Sequence, residues 1–220
     1  MESPFVTHLA FSLGPVPISF AVVITWGIML VLTFVAWLSC RDLKLFPGRW
    51  QTVIELLVTN IDAQIGEIFQ HKKPHFLPLI GTLFIFIAVA NMVDLLPGLS
   101  APTAILETPA ALAIIIFFSV HFVGIRSQGL WAYLKSYARP NIIMLPFSLL
   151  SQITRTFSMM VRLFGNIMSG QFLIGLLLAF AGLLLPIPLM ALHLLISLIQ
   201  AYIFAVLATV FIAAAMAADT

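Results

Sequence analysis

One stretch of the sequence concentrates the residues able to do chemistry. Asn141 to Leu183 is a long apolar run in which Ser148, Arg155, Arg162 and Ser169 recur every seven residues. That spacing puts them on one helix face, with Gln152 and Asn166 beside them. Gly165 and Gly170 would let another backbone approach closely. In the next apolar run His193, Ser197 and Gln200 stand at i, i+4 and i+7, again one face. Arg162 is the most demanding of these, because an arginine near the centre of a membrane helix costs roughly 2.5–3.5 kcal/mol on insertion scales. From Thr108 to Ala218 there is no Asp and no Glu, so its own helix pair offers it no carboxylate. Arg155 lies nearer a basic loop and can snorkel towards it. Arginine stays protonated and cannot relay a proton. It can act as a fixed positive charge that favours the ionised form of a nearby acid and so releases the proton or cation bound there. That acid must come from another subunit. Taken singly, the Ser and Asn positions also fit hydrogen-bonding glue between helices, and His193 fits a lone satisfied membrane histidine.

The elements that must position these residues follow from composition. The 220 residues are 62% hydrophobic and 8% charged, with a mean hydropathy of +1.14. A soluble domain carries about 25% charged residues, so lipid is the solvent here. The pattern predicts an all-α polytopic membrane protein with transmembrane helices, an interfacial amphipathic helix, and two long, strongly tilted helices forming a C-terminal hairpin. Residues 1–17 read as an external N-terminal segment without the basic flank or cleavage site of a signal peptide. A first span covers 18–39. Residues 40–75 form a cytoplasmic segment in which apolar positions from Trp50 to Phe69 follow a helical period, predicting an interfacial helix over 50–70. A two-span hairpin fills 76–125, from Phe76 to Leu96 and from Pro109 to Ile125. A cytoplasmic loop covers 126–140, and 141–217 forms the long hairpin, turning at Leu185-Pro186-Ile187-Pro188. A helix over Asn141–Leu183 would measure about 64 Å, twice the hydrocarbon thickness.

Arg41, Lys44, Arg49, Lys72 and Lys73 lie between spans one and two, and Arg126, Lys135 and Arg139 follow span three. The positive-inside rule then puts the N-terminus outside and the C-terminus in the cytoplasm. The single cysteine, Cys40, excludes a disulfide within the chain and reads as a small buried side chain. His8, His71, His75 and His121 have no metal-ligand spacing, and no phosphate-binding glycine loop is present. No cofactor, metal or nucleic-acid partner is expected, and the chain is not expected to be catalytic by itself.

Arg162-Leu163-Phe164-Gly165-Asn166, with Gly170 after it, resembles the signature of subunit a of rotary F-type ATP synthases. The resemblance extends to Pro47-Gly48-Arg49-Trp50-Gln51-Thr52 with Glu55-Leu56, to Asn91-Met92-Val93-Asp94-Leu95-Leu96-Pro97, and to His193 with Gln200. It implies a stator subunit in the bacterial plasma membrane, packed against a ring of c subunits with ion-binding carboxylates and against a peripheral stalk. Two offset half-channels would reach that ring, separated by Arg162. Ion translocation would involve Arg162, Asn166, Gln171, His193 and Gln200. Ser148, Gln152, Arg155, Ser169, Ser197, Glu107 and Asp94 are candidate channel-lining residues. The sequence departs from the family pattern at Gln171 and Ser148, where many relatives have glutamate. It departs again at Ile105 and Glu107, where Asp and Asn are usual. These departures fit either a proton path with few titrating groups or the sodium-translocating branch called N-type. Two other readings stand beside this one. A self-contained secondary ion transporter would call for an internal repeat. A structural anchor would act through the interfacial helix alone.

Overall fold

The computed structural model describes residues 9–13, 16–41, 48–69, 76–95, 99–137, 143–182 and 186–217. A short antiparallel hairpin comes first, β1 (Leu9–Leu13) pairing with β2 (Val16–Ser19). The regular elements described after it are helices: α1 (Phe20–Arg41), α2 (Arg49–Ile68), α3 (Leu77–Met92), α4 (Glu107–Gln128), α5 (Leu130–Tyr137), α6 (Met144–Ala181) and α7 (Pro186–Ala217), with two short 3-10 turns between α3 and α4. The protein is an all-α multi-pass membrane protein, with four helices long and apolar enough to cross a bilayer. Helix α3 is a shorter apolar helix of 16 residues.

The body is centred on α3, α4 and α7. Ile87 of α3, Ile116 and Val120 of α4, and Phe204 and Ile212 of α7 are buried together. Ala201, Ala205 and Ala208 line the same contact face of α7. Small residues let helix backbones approach where lipid supplies no hydrophobic drive for association. Helix α1 stands at the margin, with only Ala21 and Ile28 buried and Leu30, Phe34 and Trp37 uncovered. Its apolar residues surround the whole helix, as lipid requires and water would not allow.

Helix α2 carries the amphipathic pattern expected from the sequence, and its C-terminal half docks on α7. The Tyr202 hydroxyl donates to Gln64 Oε1 at 2.7 Å. Helix α5 falls within residues 126–140, where the sequence predicts a cytoplasmic loop. Gly129, at φ +82°, ends α4 with its N–H on Ile125 O at 2.8 Å. This backbone region favours glycine and turns the chain so that the Tyr133 ring lies on Gly124, where a Cβ would come within 2.3 Å of it. Burial, followed by the hydrogen bond with Tyr137, pushes the Tyr133 phenol above its ordinary value.

Two expectations are corrected. Cys40 is exposed, because it lies in the last turn of α1, a marginal helix with few neighbours. The Pro186–Pro188 segment is the first turn of α7 rather than a turn between helices. Proline fits there because the first amides of a helix have no intrahelical partner.

Helices α6 and α7 have 38 and 32 residues, about 57 Å and 48 Å by helical rise. Apolar side chains are exposed from Phe147 near one end of α6 to Phe180 near the other. Only a strongly tilted helix keeps that whole length within about 30 Å of hydrocarbon.

Candidate functional site

Helix α6 carries two polar regions, on opposite sides of its midpoint. Arg162 lies midway between Met144 and Ala181. Its side chain is exposed, and among the described residues it has no hydrogen-bond or ion-pair partner. Towards the Met144 end, Ser151, Thr154, Arg155, Ser158 and Arg162 line a groove of about 530 Å³. Leu207 and Phe211 of α7 form its opposite wall. The Arg155 guanidinium sits 5.6 Å from the centre of the Phe211 ring, a cation–π contact. No acidic side chain lines this groove.

The other region lies towards the Ala181 end. Gln171, nine residues beyond Arg162, is about 14 Å further along by rise. Its Nε2 donates to Asp94 Oδ1, and His193 Nε2 faces Asp94 Oδ2 at 3.5 Å. That distance suits an ion pair if the ring is protonated, but it exceeds a good hydrogen bond, and among the described residues Nε2 has no hydrogen-bond partner. Asp94 sits in a short 3-10 turn, Val93–Leu95, that ends α3. Three helices therefore converge on one carboxylate. Gly170 makes the convergence sterically possible, since a Cβ there would lie 1.9 Å from His193 Nδ1. Gly165 has open space around its Cβ position, so of the two glycines singled out in the sequence, only Gly170 permits a close approach.

A buried hydrogen-bond chain holds this cluster. Thr103 Oγ1 donates to Asn91 Oδ1 at 2.7 Å, and Asn91 Nδ2 donates to the Ser197 carbonyl at 3.0 Å. Ser197 Oγ in turn donates to the His193 carbonyl at 2.7 Å. The segment 101–104, which lies between the two spans expected over Phe76–Leu96 and Pro109–Ile125, is buried and packs on Ile167 of α6. Sequence reasoning missed Asn91 and Thr103 as site residues. The available signal was an amide in an apolar span, where polar groups need partners.

The remaining candidates fall in different places. Glu107, at the start of α4, accepts from Ser19 Oγ at 3.2 Å, so it joins the entry of α1 to that of α4. Gln200 is buried, and among the described residues its Nε2 and the buried Nδ2 of Asn166 have no hydrogen-bond partner. Ser169 is exposed and donates to Asn166 O at 3.1 Å. Ser148 donates to the Tyr137 carbonyl at 3.3 Å, linking α5 to α6. Gln152 is half-buried and accepts at its backbone carbonyl from Thr156 Oγ1. The described residues contain no cluster of three metal-ligating side chains.

Fold and site together define a multi-pass helical membrane protein whose longest helix presents an uncompensated guanidinium outward, between two polar regions. The chain belongs to the family of the ATP synthase A chain, whose family model matches residues 22–213. It is 55% identical over 215 residues to ATP synthase subunit a 2 of Bradyrhizobium sp. (strain BTAi1), covering 98% of this chain and 96% of that one. It is 46% identical over 210 residues to ATP synthase subunit a 2 of Pelobacter propionicus, covering 96% and 92%. A 204-residue match to ATP synthase subunit a of Albidiferax ferrireducens is 47% identical and covers 92% and 88%.

Proposed function

We propose that this chain is the ion-conducting stator subunit of a rotary ATP synthase, and that Arg162 acts on a carboxylate carried past it by a rotating c-ring. The observation that carries this reading is the position of Arg162, exposed, unpaired and midway between two polar regions of α6. A guanidinium left without a counter-charge on an apolar surface calls for an acid from outside. When a ring carboxylate arrives, the cation favours its ionised form and drives off the proton or sodium ion bound there. Because arginine does not titrate, it holds that position at any working pH and blocks direct passage of the ion between the two polar regions.

The groove with Ser151, Thr154 and Ser158 is then the half-channel open to the cytoplasm. The Asp94–Gln171–His193 cluster belongs to the half-channel open to the outside. The basic residues support this orientation through the positive-inside rule. In the outer path Asp94 supplies a carboxylate, His193 a ring nitrogen facing it, and Gln171 the hydrogen bond that fixes Asp94. Asn166 and Gln200, each with a buried amide nitrogen left free, offer donors on the way to Arg162. Ion identity is set chiefly by the ring. The chain itself catalyses no bond-making step; it couples ion flow to rotation.

The test is ATP-driven ion uptake by inverted membrane vesicles containing the assembled complex with Arg162→Ala. Uptake falls to background while the complex still assembles. Full coupled uptake by that variant overturns the proposal, as does ion transport by the purified full chain in liposomes without a c-ring.

A further inference from the structure

The end of α1 carries an exposed tryptophan and arginine, Trp37 and Arg41, and the start of α2 carries Arg49 and Trp50. The Arg41 guanidinium lies 5.6 Å from the centre of the Trp37 ring. Two residues before Arg41, Ser39 Oγ accepts the indole N–H of Trp50 at 3.3 Å. That hydrogen bond sets the start of α2, where Arg49 directly precedes Trp50, beside the end of α1. All four side chains are exposed. Neither arginine has a carboxylate partner among the described residues, and Glu55, one turn into α2, accepts from Gln51 at 2.7 Å. Next to this corner, α1 leaves Phe34 and Leu38 uncovered and α2 leaves Val53 and Leu57 uncovered.

Two exposed arginines, one on each helix and one of them stacked on an indole, beside an apolar surface on both helices, complement an anionic phospholipid. Arginine forks match phosphate oxygens, tryptophan favours the headgroup level of a bilayer, and the exposed aliphatic and aromatic residues suit acyl chains. We propose that the α1–α2 junction is a binding site for an anionic phospholipid headgroup. The bound lipid bridges the two helices where the Trp50 indole also donates to Ser39. It thereby holds α2 against the membrane surface and supports the docking of α2 on α7 through Gln64 and Tyr202.

Cys40, exposed and the only cysteine in the chain, sits next to Arg41 and accepts a fluorophore. The labelled full chain is reconstituted into phosphatidylcholine vesicles containing a minor share of nitroxide-bearing lipid, either phosphatidylglycerol or phosphatidylcholine. Quenching is several-fold stronger with nitroxide phosphatidylglycerol. The preference disappears in R41K/R49K, which keeps both charges but loses the forks, and in W37L/W50L, which keeps the arginines. Far-ultraviolet circular dichroism confirms that both variants retain their helices. Equal quenching by the two lipids in the parent chain overturns the proposal. So does full preference in R41K/R49K, which reduces the effect to general surface charge. Displacement of the lipid by added inorganic phosphate also overturns it, because the site would then be one for free phosphate. Loss of the preference when the whole complex is assembled would assign this surface to a partner helix and overturn it as well.

Discussion

Arg162 and the Asp94 cluster, whose Gln171 lies about 14 Å further along α6 by helical rise, are built on opposite rules. Around Asp94 the polar groups find one another: Gln171 donates to its carboxylate, His193 faces it, and Asn91, Thr103 and Ser197 connect the surrounding helices. Around Arg162 they do not, and the guanidinium stands on an exposed face with no counter-charge. A satisfied polar cluster in a membrane protein serves stability and chemistry at once. An unsatisfied charge on its outer surface contributes nothing to the isolated fold and points to a partner. Stability and transport should therefore respond differently to substitutions in the two regions.

The largest contrast is at Arg162. With Arg162→Ala, ATP-driven ion uptake drops to background. The thermal stability of the purified complex changes little, within about 0.5 kcal/mol, as for exposed positions without internal partners. Strong destabilisation on removal of Arg162 would show an internal role and break the comparison. Asp94→Asn should behave differently. The amide oxygen can still accept from Gln171, but the charge facing His193 is gone. Uptake falls about tenfold, equivalent to about 1.4 kcal/mol in barrier height. If Asp94→Asn transports at the parent rate, then the cluster is structural only.

The difference between the regions also explains how much was legible in the sequence. Hydropathy exposed the membrane helices because lipid imposes one requirement along a whole span, and Arg162 stood out because it violates that requirement. The Asp94 cluster was not legible in the same way. Asp94 meets Gln171 and His193 across 77 and 99 positions of sequence, and no local spacing encodes such contacts. The segment 101–104 carries the proline and threonine of a loop, yet it is buried because Thr103 finds Asn91. Helix α5, eight residues long, is too short for hydropathy to separate from a basic loop, and its position depends on Tyr133 meeting Gly124. The two glycines after Arg162 look equivalent in sequence, and only the arrangement of α7 distinguishes them.

That distinction supplies the next test. Gly170→Ala places a methyl group where His193 Nδ1 now lies, so the ring must turn away from Asp94 or the helices must separate. Overpacking of this kind costs about 1–3 kcal/mol. The loss should appear in thermal unfolding of the complex and be largely recovered in Gly170→Ala/His193→Ala, which removes the obstructing ring. Gly165→Ala, with open space at its Cβ, should leave stability close to the parent. Equal effects at the two glycines would remove the steric argument for the convergence of α6 and α7.

Thr103→Val probes the smallest term and separates support from transport. Valine keeps the shape of threonine but leaves Asn91 Oδ1 without its donor in a buried setting. An unsatisfied buried acceptor costs about 1–3 kcal/mol. The rest of the chain to Ser197 and the His193 carbonyl remains, so the cluster keeps its groups in place. Thermal stability should therefore fall while uptake per assembled complex remains near the parent value. The reverse result, unchanged stability with lost uptake, would mean that Thr103 lies on the ion path itself. The boundary between the supporting chain and the conducting cluster would then move from Asn91 to the buried segment above it.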